Sequence, residues 1–243
     1  MQGFHFITTE DGSPSLRLGE TEPLSEAMHS LKGAFSETLY IYGTALELGI
    51  REGFAPRTLS MGLGLGYIEL LAAGHACKHE IADFGGESFE IVPELREWFT
   101  DWLAGKEIPG DFERAYDEIE ERTCRHLELK PGAAKAALHE AVSSGRWLLR
   151  DALTPSTIFE GKFGVICFDA FSSKSTPELW SEEFLNAFLQ KGAAPGRPFY
   201  LCMYRQPQAR FAGLGFRVAD SRGFLFETRF HFRRSFERLE LRR

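Results

Sequence analysis

Cysteine is scarce in this chain, and the little there is does not cluster. Four cysteines in 243 residues, Cys77, Cys124, Cys167 and Cys202, form no C-x-x-C pair. That pattern argues against a disulfide framework or a structural metal, and for a reducing, cytoplasmic setting. Long apolar runs are missing as well. No stretch approaches the roughly 20 apolar residues that cross a bilayer, so no membrane anchor is expected. Residues 1–17 show no apolar core behind a basic start, so no signal peptide is expected. G-x-S-x-G, H-E-x-x-H and P-loop lysine motifs are all absent, which removes the common hydrolase and kinase chemistries. His75, His79, His126 and His139 lie in polar helical contexts without metal-ligand spacing, and read as surface or packing residues.

What is present suits a folded enzyme-sized unit. Hydrophobic residues make up 43% of the chain, ordinary for a globular protein, and the length allows one large α/β domain over residues 1–243. The net charge of −7 is uneven: residues 205–243 hold ten arginines against four acidic residues, so the remainder carries −13. A basic tail of this kind marks either a nucleic-acid surface or arginine-rich strands facing solvent. On charge alone the second reading leads, because the chain as a whole is acidic.

The densest signal is Leu59-Ser60-Met61-Gly62-Leu63-Gly64-Leu65-Gly66-Tyr67-Ile68-Glu69. An apolar run meets three alternate glycines, then helix formers resume. This predicts a strand, a tight turn and a helix start, where glycine lets both backbone and ligand come close. Free N–H groups at the helix start are expected to face that ligand. A dinucleotide fingerprint, G-x-G-x-x-G, would need glycine where Tyr67 stands. G-x-G-x-G suits S-adenosylmethionine instead, which has no pyrophosphate to cradle. Gly62, Gly64 and Gly66 are therefore read as cofactor-binding.

Periodicity places the other elements. Short strands are expected at 4–8 and 15–18 around the turn Asp11-Gly12-Ser13-Pro14, then a helix over 36–51 with Ser36 as N-cap. Together they form a small N-terminal extension over residues 1–50, ahead of a core over 51–243. Core strands are predicted at 57–61, between 81 and 92, at 147–150, 163–168 and 199–203. Helices fall between them at 66–76, 93–103, 111–127, 131–143 and 177–190. Apolar strands alternating with helices imply a mostly parallel sheet covered on both faces. Residues 215–219 and 223–232 look like an antiparallel C-terminal edge.

Ligands of open α/β sheets lie beyond the carboxyl ends of the strands, so the residues that end each strand are the candidates. Glu90, or else Asp83, ends the second core strand. Glu90 is the better placed to accept hydrogen bonds from ribose hydroxyls, although a helix start also favours a carboxylate there. Asp151 and Ala152 end the next strand, placed to hold an adenine amino group or simply to form a turn. Asp169 ends a strand with no other charge since Phe163, in either a structural or a catalytic role.

The segment Asp169-Ala170-Phe171-Ser172-Ser173-Lys174-Ser175-Thr176-Pro177-Glu178-Leu179-Trp180 is more specific. It closely resembles the D-A-F-S-P-x-x-N-P-E-L-W signature of the methyltransferase domain of the MnmC family, bacterial enzymes that modify the tRNA wobble uridine. Gly33-Ala34-Phe35-Ser36-Glu37-Thr38, the glycine turn, Ser88-Phe89-Glu90 with Pro93, and Gly215-Phe216-x-Val218 resemble further family motifs in the same order. Ser60 stands where the family often has a glutamate, and Ser173 replaces a proline.

The resemblance implies a Rossmann-like class I methyltransferase using S-adenosylmethionine. Its substrate would be the exocyclic amine of 5-aminomethyl-2-thiouridine in tRNA. It adds Glu37 to the cofactor-binding set. It makes Asp169 the catalytic group that orients the substrate ammonium and helps take its proton. Phe171 and Tyr204 would pack the base or the sulfonium, although both also suit plain core packing. Lys174, Arg205 and Arg210 would meet phosphates. The FAD-dependent oxidase of the family would be a separate protein, and no metal is implied. Three rivals stay open: a methyltransferase of a small amine or another nucleic acid, an aminopropyltransferase-like enzyme, and a non-catalytic cofactor-binding protein.

Overall fold

A computed structural model describes residues 3–18, 26–51, 57–169, 177–192 and 200–203. The chain opens with β1 (Phe4–Thr8), β2 (Pro14–Leu18) and β3 (Glu26–Ala27), an antiparallel three-stranded sheet in that order. Two of these strands were expected; β3 was not, being only two residues long. α1 (Ala34–Thr38) then runs into a π-helical turn, Leu39–Gly43, and on into α2 (Thr44–Arg51).

The main sheet contains β4 (Arg57–Met61), β5 (Gly85–Phe89), β6 (Trp147–Arg150), β7 (Val165–Phe168) and β8 (Tyr200–Met203). Their spatial order is β6-β5-β4-β7-β8, and every pair is parallel. The order reverses beside β4, which is where open sheets leave room for a ligand. Between the strands lie α3 (Tyr67–Lys78), α4 (Pro93–Leu103), α5 (Gly110–Leu127), α6 (Ala133–Ser143), and a 3-10 turn at Pro177–Trp180 followed by α7 (Glu182–Gly192). The helix expected over 177–190 is thus broken after Trp180. Pro93 opens α4, where its missing N–H costs nothing. The expected C-terminal antiparallel edge lies outside the described residues.

Strand alternation divides the core in two. Val165 and Cys167 of β7 face the larger cluster, with Leu46, Leu70, Leu71, Tyr116 and Leu138. Ile166 and Phe168 face the smaller one, with Phe184, Leu185, Phe188 and Leu189 of α7. Both faces of the strand are sealed, which is why residues 163–168 read as a continuous apolar run. Each such side chain removed from water contributes about 1.5–3 kcal/mol.

Two buried polar side chains of β5 are paired. Glu87, fully buried in β5, accepts from the Arg150 guanidinium at 2.7 Å and from the Glu160 N–H at 2.8 Å. On the opposite face, Trp147 Nε1 donates to Ser88 Oγ at 2.9 Å, and Ser88 Oγ donates to Glu69 Oε1 at 2.7 Å.

Tyr67 and Asp11 are among the residues that fasten the N-terminal hairpin. Tyr67, the residue that breaks the dinucleotide pattern, donates its phenol to the Pro14 carbonyl at 2.5 Å. Asp11 caps the first helix from outside it. Its Oδ2 accepts the Ser36 N–H at 2.9 Å, while Oδ1 accepts from Thr9 Oγ1 at 2.8 Å, from the Ser13 N–H at 2.9 Å and from Ser13 Oγ. The helix therefore starts at Ala34 after Gly33, and Ser36 is not its N-cap, as the sequence had suggested. An acid twenty-five residues away satisfies the orphan amide, and periodicity carries no trace of that.

Burial opposes ionisation of Asp11, but the donated hydrogen bonds outweigh it and hold its carboxyl well below the usual range. A lowered folded-state value stabilises above the unfolded value and is lost as pH falls. Asp11→Ala is expected to cost about 1–2 kcal/mol at neutral pH. In urea unfolding series, that gap should stay constant above about pH 4 and shrink below it.

Candidate active site at the ends of β4, β5 and β7

β4 and β7 run parallel side by side, so they deliver the glycine turn and Asp169 to one edge. The Asp169 N–H donates to the Met61 carbonyl at 3.0 Å. A Cβ added to Gly62 would lie 2.7 Å from the Asp169 carbonyl oxygen, and Gly62 sits at φ 93. Glycine is required here on two counts, left-handed backbone and direct contact with the strand that carries the acid. Gly66, at φ 74, begins α3, and a Cβ there would lie 2.2 Å from the Phe99 ring. Over Gly64 sits Met28, its sulfur 3.3 Å from where a Cβ would be, so the segment after β3 lies over the turn.

Four amides of the turn are engaged within the protein. Gly62 and Leu63 both donate to the Phe89 carbonyl, at 2.9 and 3.2 Å, and Gly66 donates to the Leu63 carbonyl at 2.7 Å. Gly64 donates to Glu90 Oε2 at 3.0 Å. The sequence suggested amides facing a ligand. Those expected amides belong to the helix start, whereas these four belong to the turn before it and serve the fold.

Glu90 directly follows β5 and is 8% exposed. Its Oε1 accepts the Val92 N–H at 3.0 Å, so the carboxylate bridges the glycine turn and the start of α4. The Glu90 N–H donates to the Arg150 carbonyl at 3.0 Å, and the Arg96 guanidinium donates to the Glu90 carbonyl. Asp151 and Ala152 follow β6 and are exposed. Asp83, the other acid considered for this strand end, precedes β5 and stands at its opposite end.

Across the turn, Asp169 Oδ1 accepts the Tyr42 phenol at 2.7 Å. The residue keeps some contact with solvent, but its carboxyl lies among protein atoms. Burial pushes it up to about 7, the charge of Glu37 adds to the rise, and the Tyr42 hydrogen bond works against it. Glu37 Oε2 accepts the Ser30 N–H at 2.7 Å, tying the first helix to the segment that lies over the turn. In sequence, Tyr42 falls with Leu39, Leu46 and Ile50 on one apolar stripe of the expected helix over 36–51, and nothing local separates its ring from a phenylalanine.

A second acid was also missed. Glu69, in the first turn of α3, is fully buried beneath the glycine turn. Ser60 Oγ and Glu69 Oε2 have no hydrogen-bond partner within normal distance among the described residues. Burial pushes Glu69 up to about 7, eased by the Ser88 hydroxyl and raised further by the charge of Asp169. The acid that the family pattern carries at position 60 is here a serine on β4, with a glutamate close by on the helix.

Phe171, Lys174, Tyr204, Arg205 and Arg210 lie outside the described residues. Among the described residues, no group of three or more His, Cys, Asp or Glu is placed to hold a metal ion, and no helix is long and apolar enough to cross a membrane. His75, read as a surface or packing residue, is buried and stacks on His79 at 6.3 Å.

No family model matches the chain. An uncharacterized protein of Methanocaldococcus jannaschii is 26% identical over 185 residues, which cover 76% of this chain and 46% of that protein. The chain thus spans about half the length of the curated relative it matches. Among solved structures, MnmC2 from Aquifex aeolicus superposes with a TM-score of 0.58 at 24% identity, covering 92% of this chain and 67% of that one. The glycopeptide N-methyltransferase MtfA, in complex with S-adenosyl-L-homocysteine, reaches a TM-score of only 0.38, too slight a likeness to bear on this chain. The fold is therefore that of the MnmC2 structure: α/β, Rossmann-like, with a parallel sheet in the order β6-β5-β4-β7-β8.

Two outcomes follow from this geometry. Gly66→Ala is expected to lose about 3 kcal/mol of stability by urea denaturation, from left-handed strain plus overpacking against Phe99. Glu69 has a raised folded-state value, so the folded state binds the extra proton and stability falls as pH rises from about 4.5 to 7. Glu69→Gln should flatten that part of the melting-temperature profile.

Proposed function

We propose that this chain is an S-adenosylmethionine-dependent N-methyltransferase acting on the aminomethyl group of 5-aminomethyl-2-thiouridine at the tRNA wobble position. The observation that carries the reading is the contact between Gly62 and Asp169. It sets the backbone of Asp169, whose carboxyl is pushed up to about 7, directly against the glycine turn. The shared fold with MnmC2 and the segment from Asp169 to Trp180 support the same assignment.

The residues fit the cofactor. Gly62, Gly64 and Gly66 let the turn close against the Asp169 carbonyl, Met28 and Phe99, and Glu90 stands beside that turn as the acid for a ribose. Asp151 and Ala152 are exposed at the adjacent strand end, where an adenine would lie. Glu37 completes the set on the far side of Asp169. S-Adenosylmethionine supplies a methyl group activated on a sulfonium.

The rest falls to the protein. An alkylamine is mostly protonated near neutral pH and has no lone pair to attack with. Asp169 binds the ammonium, orients it and accepts one proton, leaving the amine neutral. A carboxyl titrating near 7 suits this role: it is ionised in a useful fraction, yet basic enough to receive the proton. That proton then passes to water, and the methylated product leaves as a secondary ammonium. Phe171 and Tyr204 pack the base, while Lys174, Arg205 and Arg210 meet tRNA phosphates. A separate FAD-dependent oxidase would generate the amine.

A second reading, a small-amine methyltransferase, draws on the net charge of −7. Purified protein supplied with the cofactor and tRNA carrying 5-aminomethyl-2-thiouridine is expected to yield the methylated nucleoside by mass spectrometry. Methylation of small amines with no transfer to tRNA would favour the second reading. Asp169→Asn should lower the rate at least about 10²-fold, with calorimetric cofactor affinity kept within a few-fold. A variant as fast as wild type would refute the role given to Asp169.

A further inference from the structure

The helix that carries Tyr42 is not regular. α1, a five-residue π turn and α2 follow one another directly from Ala34 to Arg51. π turns are rare and recur at functional sites, because the extra residue re-aims the side chains that follow. Tyr42 lies within the π turn, 2% exposed, and its phenol reaches Asp169 across 127 residues of sequence. Phenylalanine would fill the same space without needing a polar partner, so packing alone does not explain the hydroxyl.

Other charged groups face Asp169 too. Glu37 approaches from α1 and Glu69 from α3, both carboxyls that disfavour a second negative charge nearby. The Tyr42 O–H works in the opposite sense, donating to the ionised form.

Resting on the reading of Asp169 as proton acceptor, we propose that Tyr42 is the positioning residue of this site. Its phenol holds Oδ1, fixes the carboxyl plane and assigns Oδ2 to the substrate ammonium. Tyr42 does not touch the reacting atoms. It acts by keeping Asp169 ionised and aimed, against two neighbouring acids.

The test is a carboxyl-carbon NMR titration of cofactor-free protein, with the Asp169 signal assigned from Asp169→Asn. In Tyr42→Phe the Asp169 midpoint is expected to rise by about one pH unit, because a hydrogen bond to the charged form is lost. With 3-fluorotyrosine installed at position 42, a stronger donor, the midpoint should fall. The fluorinated protein also carries the test should Tyr42→Phe not fold. Midpoints unmoved in the folded variants overturn the proposal. The acid limb of the kcat/KM profile should move with the midpoint. A limb that stays in place while the midpoint moves overturns Asp169 as acceptor, and with it the catalytic purpose of the contact, but not the hold of Tyr42 on the carboxyl.

Discussion

The approach of the β4 turn to the end of β7 is the constraint on which the site depends. The Asp169 N–H closes on the Met61 carbonyl, and the Asp169 carbonyl occupies the space a side chain at position 62 would need. A larger residue at 62 would part the two strand ends and move the acid from the turn. Tyr42 then secures the carboxyl from one side, and Glu90 bridges the turn to α4 from the other. One short contact thus sets the distance between the proposed cofactor surface and the proposed acceptor.

Beneath that surface the sheet holds polar groups that an oil-like core would not tolerate. Glu87 is held by Arg150 and by a backbone amide, and Glu69 by Ser88, itself joined to Trp147. Buried acids of this kind survive only when paired or protonated. Glu69 takes the second course in part, with Ser60 beside it and Asp169 adding to its reluctance to ionise. The floor of the glycine turn and the proposed acceptor therefore share an electrostatic environment, so a change at one is felt at the other.

Much of the framework was legible beforehand. β7 follows from an apolar run with an acid at its end and β4 from a run that meets the glycine turn, whereas β5, Gly85-Gly86-Glu87-Ser88-Phe89, has no such run and could be placed only between residues 81 and 92; α4 starts at Pro93 as proline chemistry requires. Glu90 and Asp169 were found by asking what ends a strand. Less legible were the features that depend on distant partners. Asp11 caps a helix twenty-five residues away, and β3 exists only because β2 pairs with it. The helix at 177 breaks after Trp180, which is buried beneath the sheet against Phe168.

By itself, the sequence determined the alternation of strands and helices, the glycine turn and the acids at the strand ends. Those are set by local propensity and by the periods of burial, which a single chain displays in full. Only the tertiary structure decided that Tyr42 meets Asp169, that Glu69 lies under the turn, and that four amides of the turn serve the fold. A phenol in an apolar stripe and a glutamate in a first helical turn look ordinary in sequence. They acquire their chemistry from neighbours brought close by packing, over separations that no local pattern records.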